Sequence, residues 1–187
     1  MIAEPAYGTL DKNTTIVSEN YFLKTDRIGF RSWTLDDIEL AIDLWGDAEV
    51  AKFIGGPFSN SQVQRKLSTE RAILRLYNMQ YWPIFDLASG DHIGCCGLRP
   101  YKPEEKIYEI ESHIRKEFWG KGYGHESAKA VIAYAEKKLD AKAIYASHNP
   151  ASVHSKALLE KLGFQYTHDA IYEPTGVSHA SYLLNLA

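Results

Sequence analysis

Three glycines in five residues, Gly120, Gly122 and Gly124, follow a strand-like run, Ile107-Tyr-Glu-Ile-Glu-Ser-His-Ile114. After them Ala128, Val131, Ile132, Ala135 and Leu139 recur at helical spacing. Glycine lets a backbone turn sharply and approach a ligand with no Cβ in the way. The helix that follows presents unpaired amides and a partial positive charge at its start. Together these make an anion cradle, to which Lys121 adds a cation. The spacing narrows the kind of cradle. Lys121 is followed by Gly122, so no hydroxyl is placed for magnesium as in a phosphate loop. The residue three past Gly122 is His125, so the dinucleotide fingerprint Gly-x-Gly-x-x-Gly is absent as well. Without a ligand the same residues make only a glycine-rich turn.

A chain of 187 residues, 45% hydrophobic and 24% charged, has the make-up of an ordinary globular domain. We expect a single domain over residues 1–187, opened by an arm over residues 1–20. There Pro5, Gly8 and Asn13-Thr-Thr show little periodicity, and only Thr15–Val17 suits a short strand. The net charge of −3 gives no overall drive toward nucleic acid. Apolar runs are short and interrupted, so no membrane partner is expected. No basic stretch followed by an apolar one opens the chain, and the cytoplasm is the expected compartment. Cys95 and Cys96 are the only cysteines. Neighbours in a strand face opposite sides of its sheet, so the pair reads as buried free thiols and no metal site is expected. A nucleophilic role for either would imply a ping-pong route.

Periodicity predicts a strand over Asp26–Trp33 and a helix capped by Thr34 or Asp36 and running through Trp45. A further helical turn at Asp47–Val50 and a long helix over Ser59–Met79 follow. A meander comes next, with strands at Tyr81–Leu87, Asp91–Leu98 and Ile107–Ile114 and a loop over Pro100–Lys106. After the cradle and its helix, Gly124–Leu139, we expect a strand at Ala143–Ser147 and a helix over Ser152–Leu162 closed by Gly163. Strands at Phe164–Ile171 and Ser181–Leu186 surround the Pro174-Thr-Gly176 turn.

This succession resembles the GNAT acyl-CoA N-acyltransferases over nearly all of residues 24–187. The glycine stretch is similar to their pyrophosphate loop, Gln/Arg-x-x-Gly-x-Gly/Ala, laid on Trp119 to Gly124, with Trp119 departing from the first position. Its Trp-Gly-Lys-Gly-Tyr core is similar to that of the RimJ/RimL-type branch, the ribosomal-protein N-terminal acetyltransferases. So are Asp26-Arg-Ile-Gly-Phe-Arg31, Leu44-Trp45 with Asp47-Ala-Glu-Val50, Ile93-Gly-Cys-Cys-Gly-Leu98 and Glu160-Lys-Leu-Gly-Phe164. The resemblance implies an α+β fold around a central mixed, mostly antiparallel twisted sheet. That sheet would have about six or seven strands, splayed between the fourth and fifth, with about four flanking helices.

It also implies acetyl-CoA as cofactor and direct transfer of acetyl to a primary amine in a ternary complex. The pantetheine arm would insert between Glu109–Ile114 and Ala143–Ser147. Backbone groups at Ile114, with His113 and Arg115, would pair with it. The segment Trp119, Gly120, Lys121, Gly122, Tyr123, Gly124 and His125 would hold the pyrophosphate. In the branch an Asn-x-x-Ser pair lies 11 and 8 residues before the glycine at Gly163, which here gives Ser152 and Ser155. Asn149 is the residue placed to stand in for the missing asparagine, and Ser152 serves equally as a helix N-cap. Ser155 is the candidate to donate a hydrogen bond to the departing sulfur. Many GNAT enzymes carry a tyrosine as general acid where this chain has Leu159. These departures leave open a second reading, a non-catalytic acyl-CoA-binding or sensing module.

Amide formation needs a neutral amine, so a carboxylate usually takes its proton. Glu111 is the favoured base and Glu109 the second. Two apart on a regular strand, they share a face, and their proximity raises one proton affinity. A solvent-facing or substrate-binding pair fits the same residues. The aromatics Tyr77, Tyr81, Trp82, Tyr145, Tyr166 and Tyr172 suit core or cleft wall. The acceptor is expected to be an amine-bearing small molecule or a peptide N-terminus. It would bind among the first two helices, the Tyr101–Glu105 loop and the hairpin around Pro174–His179. Acidic residues near that mouth favour a cationic acceptor. The chain is expected to be a monomer or homodimer.

Overall fold

The computed structural model describes residues 21–186, so the expected arm over 1–20 and its strand near Thr15–Val17 lie outside the described residues. Strands β1 (Leu23–Lys24) and β2 (Ile28–Phe30) lead into helices α1 (Ile38–Trp45), α2 (Ala48–Ala51) and α3 (Asn60–Tyr77). Then come β3 (Tyr81–Asp86), β4 (His92–Lys102) and β5 (Ile107–Ile114). Helix α4 (Tyr123–Leu139), β6 (Ala143–His148), α5 (Val153–Lys161), β7 (Gln165–Tyr172) and β8 (Val177–Asn185) complete the order. The α+β architecture is the expected one.

The sheet runs β1-β2-β3-β4-β5-β6-β8-β7, eight strands. Its one parallel pair is β5 with β6. The extra strand arises because Asp26–Trp33 does not run straight. The Thr25 amide donates to the Ile28 carbonyl (2.9 Å) and the Ile28 amide to Thr25 Oγ1 (2.9 Å), closing a turn that folds Leu23–Lys24 back onto β2. Helix α2 counts as the fifth helix; its cap is Asp47, whose carboxylate accepts from the Glu49 and Val50 amides.

Strand alternation divides the core between two faces. Cys95 joins Trp33, Trp45, Leu67 and Tyr81 under α1 and α3, while Cys96 joins Trp82, Val131, Ile144 and Leu159 under α4 and α5. Both thiols are free and fully buried.

Several boundaries differ from expectation: the first helix begins at Ile38 behind Asp37, not behind Thr34 or Asp36, and Asp37 makes no side-chain capping bond to it. β4 runs on to Lys102 because a register shift between Pro100 and Lys102 accommodates a proline that cannot donate to the ladder. β8 begins at Val177, four residues before the expected Ser181, although Ser178 and His179 do not read as an apolar alternation.

The parallel pair is brief. β5 and β6 pair only from Ile107↔Ala143 to Glu109↔Tyr145. Beyond that point β5 stays with β4 as far as Gly94↔Ile114, and β6 stays with β8 as far as His148↔Ala180. The sheet therefore opens between these two strands. They are the fifth and sixth once β1 is counted.

Candidate active site

The opening between β5 and β6 continues into a cavity of about 500 Å³, walled by β5, the glycine turn, α5 and the β7–β8 hairpin. Glu111, His113, Ile114, Trp119, Gly120, Gly122, Tyr123, Gly124, Asn149, Ser152 and Ser155 stand on its wall; Glu109, Arg115, Lys121 and His125 do not.

The Arg115 amide donates to the Ile93 carbonyl at 2.9 Å. Bonded positions alternate along an antiparallel pair. His113 and Glu111, in register with Cys95 and Gly97, therefore spend their backbone groups on β4, and Ser112 and Ile114 turn theirs to the opening. The backbone pairing expected of His113 and Arg115 thus shifts to Ser112, a position the sequence did not mark. Trp119 Nε1 donates to the Ile114 carbonyl at 2.6 Å and so folds the ring back over the strand end. The Arg115 guanidinium is drawn outward to Glu117, at 2.9 Å.

Gly120 and Gly122 adopt φ of +71° and +84°, a region other residues enter at a cost. A Cβ at Gly120 would meet nothing within 4 Å, and one at Gly122 only Arg27 Nη2 at 3.5 Å, so the outer side of the turn is open. Gly122 is the N-cap of α4, and no side chain caps this end. The amides of Tyr123, Gly124 and His125 are left without a helical partner, facing a cradle an anion fits.

Behind the turn lies a brace. Arg27 Nε donates to Glu126 Oε2 (2.7 Å) and Nη1 to the Lys121 carbonyl (3.1 Å). Thr25 Oγ1 donates to Glu126 Oε1 (2.6 Å), and Tyr123 donates its hydroxyl to Asp86. Glu126 thus has partners on β1–β2, beyond its fit to the helix dipole.

Glu109, Glu111 and His113 project to one face of β5, toward α1 and α3. The Trp45 indole N–H donates to His113 Nδ1 at 3.2 Å. An indole only donates, so Nδ1 accepts and Nε2 carries the proton that reaches Glu111 Oε2 at 3.3 Å. Burial disfavours charge on both carboxylates. For Glu109, burial and then the Glu111 charge outweigh Arg99 and push the carboxyl up to about 7. For Glu111, burial is outweighed by the His113 hydrogen bond and the Arg99 and Lys66 charges, and its carboxyl is held below the usual range. Near neutral pH the pair therefore takes up its first proton, mainly on Glu109. Arg99 is itself fixed by Glu70, a fully buried carboxylate that also accepts from the Tyr81 amide at 2.8 Å.

Cys95 Sγ lies 3.4 Å from His113 Nδ1, a partner the sequence did not reveal. Burial nevertheless pushes this thiol well above its ordinary value, and Cys95 does not reach the cavity. The Cys96 thiol is pushed up to about 12, also by burial. Neither is an accessible thiolate.

On α5, Ser152 and Ser155 Oγ atoms lie 2.8 Å apart. Ser152 sits at the N-cap position but its side chain makes no capping bond. Asn149 Oδ1 accepts from the Ala151 amide at 2.9 Å, which keeps its side chain at the loop. The far wall holds Tyr172, His148 and His179. His148 escaped the sequence reading, because a lone histidine in a strand carries no spacing signal, and His179 entered it only as the end of the hairpin expected to border the acceptor. Among the described residues no group of His, Cys, Asp and Glu is arranged to hold a metal ion, and no helix is long and apolar enough to cross a membrane.

The profile of a family described as "Acetyltransferase (GNAT) domain" matches residues 27–165. An uncharacterized N-acetyltransferase of Bacillus licheniformis is 28% identical over 145 residues, covering 76% of this chain and 82% of the relative. The crystal structure of a GNAT-family acetyltransferase from Bacillus anthracis superposes with a TM-score of 0.75 at 21% identity, covering 87% of this chain and 97% of that one. RimL, a ribosomal L7/L12 alpha-N-protein acetyltransferase solved in complex with coenzyme A, superposes with a TM-score of 0.75 at 13% identity, covering 87% and 96%.

Proposed function

We propose that this chain, which belongs to the GNAT acetyltransferase family, acetylates a primary amine by direct transfer from acetyl-CoA, with Glu111 as base. The observation that carries the reading is the opening between β5 and β6, which leads from the uncapped start of α4 to a cavity walled by Glu111. Acetyl-CoA supplies the acetyl thioester. The amides of Tyr123, Gly124 and His125, with Gly120 and Gly122 beside them, hold its pyrophosphate, and Lys121 adds an exposed, screened charge. Ser112 and Ile114 offer backbone groups to the pantetheine. Glu111 takes the proton of the attacking amine, and Glu109 tunes it by sharing the pair's proton. Ser155, in contact with Ser152, donates a hydrogen bond to the departing sulfur. Asn149 shapes the loop beside them.

The Trp119–Tyr123 core and the motifs on β2, α1 and β4 support a place in the RimJ/RimL-type branch. That branch makes a peptide N-terminus the first acceptor to try, with small amines next. The buried free thiols suit a reducing cytoplasm. The test is CoA-thiol release with a panel of small amines and N-terminal peptides, comparing wild type with Glu111→Gln. The variant should lose about 100-fold or more in kcat while binding acetyl-CoA as wild type does. Full activity in the variant would remove Glu111 as base. An absence of turnover with every acceptor, despite acetyl-CoA binding, would sink the activity.

A further inference from the structure

Of the three buried histidines on the cavity wall, His113 is held by Trp45 and Glu111, and His148 and His179 differ in one respect. His148 is satisfied at both nitrogens: Nδ1 lies 2.9 Å from the Asn149 carbonyl, to which it must donate, and Nε2 lies 3.3 Å from the Tyr182 hydroxyl. His179, only 5% exposed, has no hydrogen-bond partner among the described residues, and its Nε2 is fully buried. His179 stands on the cavity wall, and its Nδ1, unlike Nε2, is not fully buried. The ring is held in place: it stacks on Tyr172 at 4.5 Å and 17° across the β7–β8 hairpin. It stands on the face of β8 that carries Ser181, which meets the Tyr145 hydroxyl at 2.9 Å, while Tyr182 on the other face packs in the core with α4. That is the face on which Glu111 projects from β5. Burial, then the neighbouring His148, keep the imidazole below its ordinary value against the opposing Glu111 charge, so it is neutral at neutral pH. An unpaired polar group in such a place is stabilised when a partner arrives.

We propose that His179 reads the acceptor: its Nδ1 edge donates a hydrogen bond to a carbonyl oxygen close to the amine, so the acceptor is an α-amino amide, such as a peptide N-terminus, rather than a plain alkylamine. The argument for Nδ1 as donor is one of cost. A neutral ring has one N–H, and leaving it on the buried, partnerless Nε2 is the less favourable choice. Tyr172, its phenol pushed up to about 12 by burial and then by the Glu111 and Glu109 charges, stays protonated and serves as the apolar back of the ring. The inference rests on the acetyl-transfer reading above.

The test compares kcat/KM for glycinamide and for propylamine in wild type, His179→Phe and His179→Asn. The change in the ratio between proteins cancels the two amines' different basicity. His179→Phe should lower the glycinamide-to-propylamine ratio about tenfold with the KM for acetyl-CoA unchanged. His179→Asn, which places an N–H near the position of Nδ1, should keep most of the preference. A ratio that does not change, an equal loss for both amines, or a raised acetyl-CoA KM overturns the assignment and leaves the acetyl-transfer reading intact. No turnover of either amine, or of any other, overturns both. As a measure independent of turnover, the His179 ring 15N resonances of wild type with CoA, identified by their loss in His179→Asn, should shift on adding glycinamide and not propylamine. Equal shifts with both count against it.

Discussion

Trp45, on α1, decides which nitrogen of His113 carries a proton, and through it how Glu111 is held. Glu109 and Glu111 were legible as a pair, because two residues apart on a strand means one face. Which of the two would be raised was not, because that depends on Trp45, Lys66 and Arg99, which come from other parts of the chain. The same holds for Ser112: which backbone groups face the opening follows from the register with β4, and no side chain advertises it. The inequality has a kinetic consequence. In wild type the pair takes up a proton near pH 7, because Glu109 is raised by burial and by Glu111. In Glu109→Gln that uptake disappears and the Glu111 carboxylate stays free to lower pH. The ratio of wild-type to Glu109→Gln kcat/KM, measured with one amine, should be flat above about pH 7.5. Below pH 7 it should fall to a lower plateau near one, because the proton sits mainly on Glu109 and leaves Glu111 ionised but without the neighbouring charge that raises its basicity. The amine's own titration cancels in this ratio. A ratio independent of pH would show that Glu109 does not share the base's proton.

Helix α4 and the turn before it were legible from three glycines and a helical period, and the elements around them largely so. What the chain order hid was the support behind the turn. Arg27 lies within the tight turn between β1 and β2, and it reaches both Glu126 on α4 and the Lys121 carbonyl within the glycine stretch. Its guanidinium also lies over the Tyr123 ring at 4.5 Å. The partners are 94 and 99 residues away in sequence, so no local pattern marks them. This brace and the glycines make separable contributions to cofactor affinity. Gly122→Val forces a β-branched side chain into φ +84°, beside Arg27, and so distorts the turn that presents the amides; it should abolish measurable acetyl-CoA binding. Arg27→Ala leaves the glycines free but unpins the carbonyl. Its ion pair with Glu126 is half-exposed and solvent-screened, so the loss should be modest, about two- to fivefold in Kd. Calorimetric titration of both variants with acetyl-CoA checks the order. Wild-type affinity in Gly122→Val would dismiss the turn as the pyrophosphate site, and a larger loss in Arg27→Ala than in Gly122→Val would reverse the argument.

The molecule as a whole has two cores on opposite faces of one sheet, and adjacent cysteines foretold that division correctly. They did not foretell the aromatic-walled pocket at His92, the first residue of β4. This ring is 4% exposed, set edge-on to Trp33 at 5.6 Å and tilted against Phe85 at 5.3 Å. Burial, then the charges of Arg115 and Arg31, drive its pKa down to about 4, with Asp37 opposing. The sign of the linkage follows. The unfolded chain protonates His92 near its ordinary 6.5, and the folded protein resists until about 4. Folding is thus favoured fully above pH 6.5, and this contribution is lost as pH falls from there toward 4. The interval corresponds to an order of 3 kcal/mol at most, enough to matter against a typical total of about 5–15 kcal/mol. Urea unfolding at several pH values should show wild-type stability falling over that window. His92→Phe, which keeps an aromatic ring in the cage and removes the proton site, should show a flatter dependence there, whatever its stability at pH 8. Parallel pH dependences in the two proteins would place the acid sensitivity elsewhere, with His179 the next buried histidine to replace, since burial lowers it in the same direction.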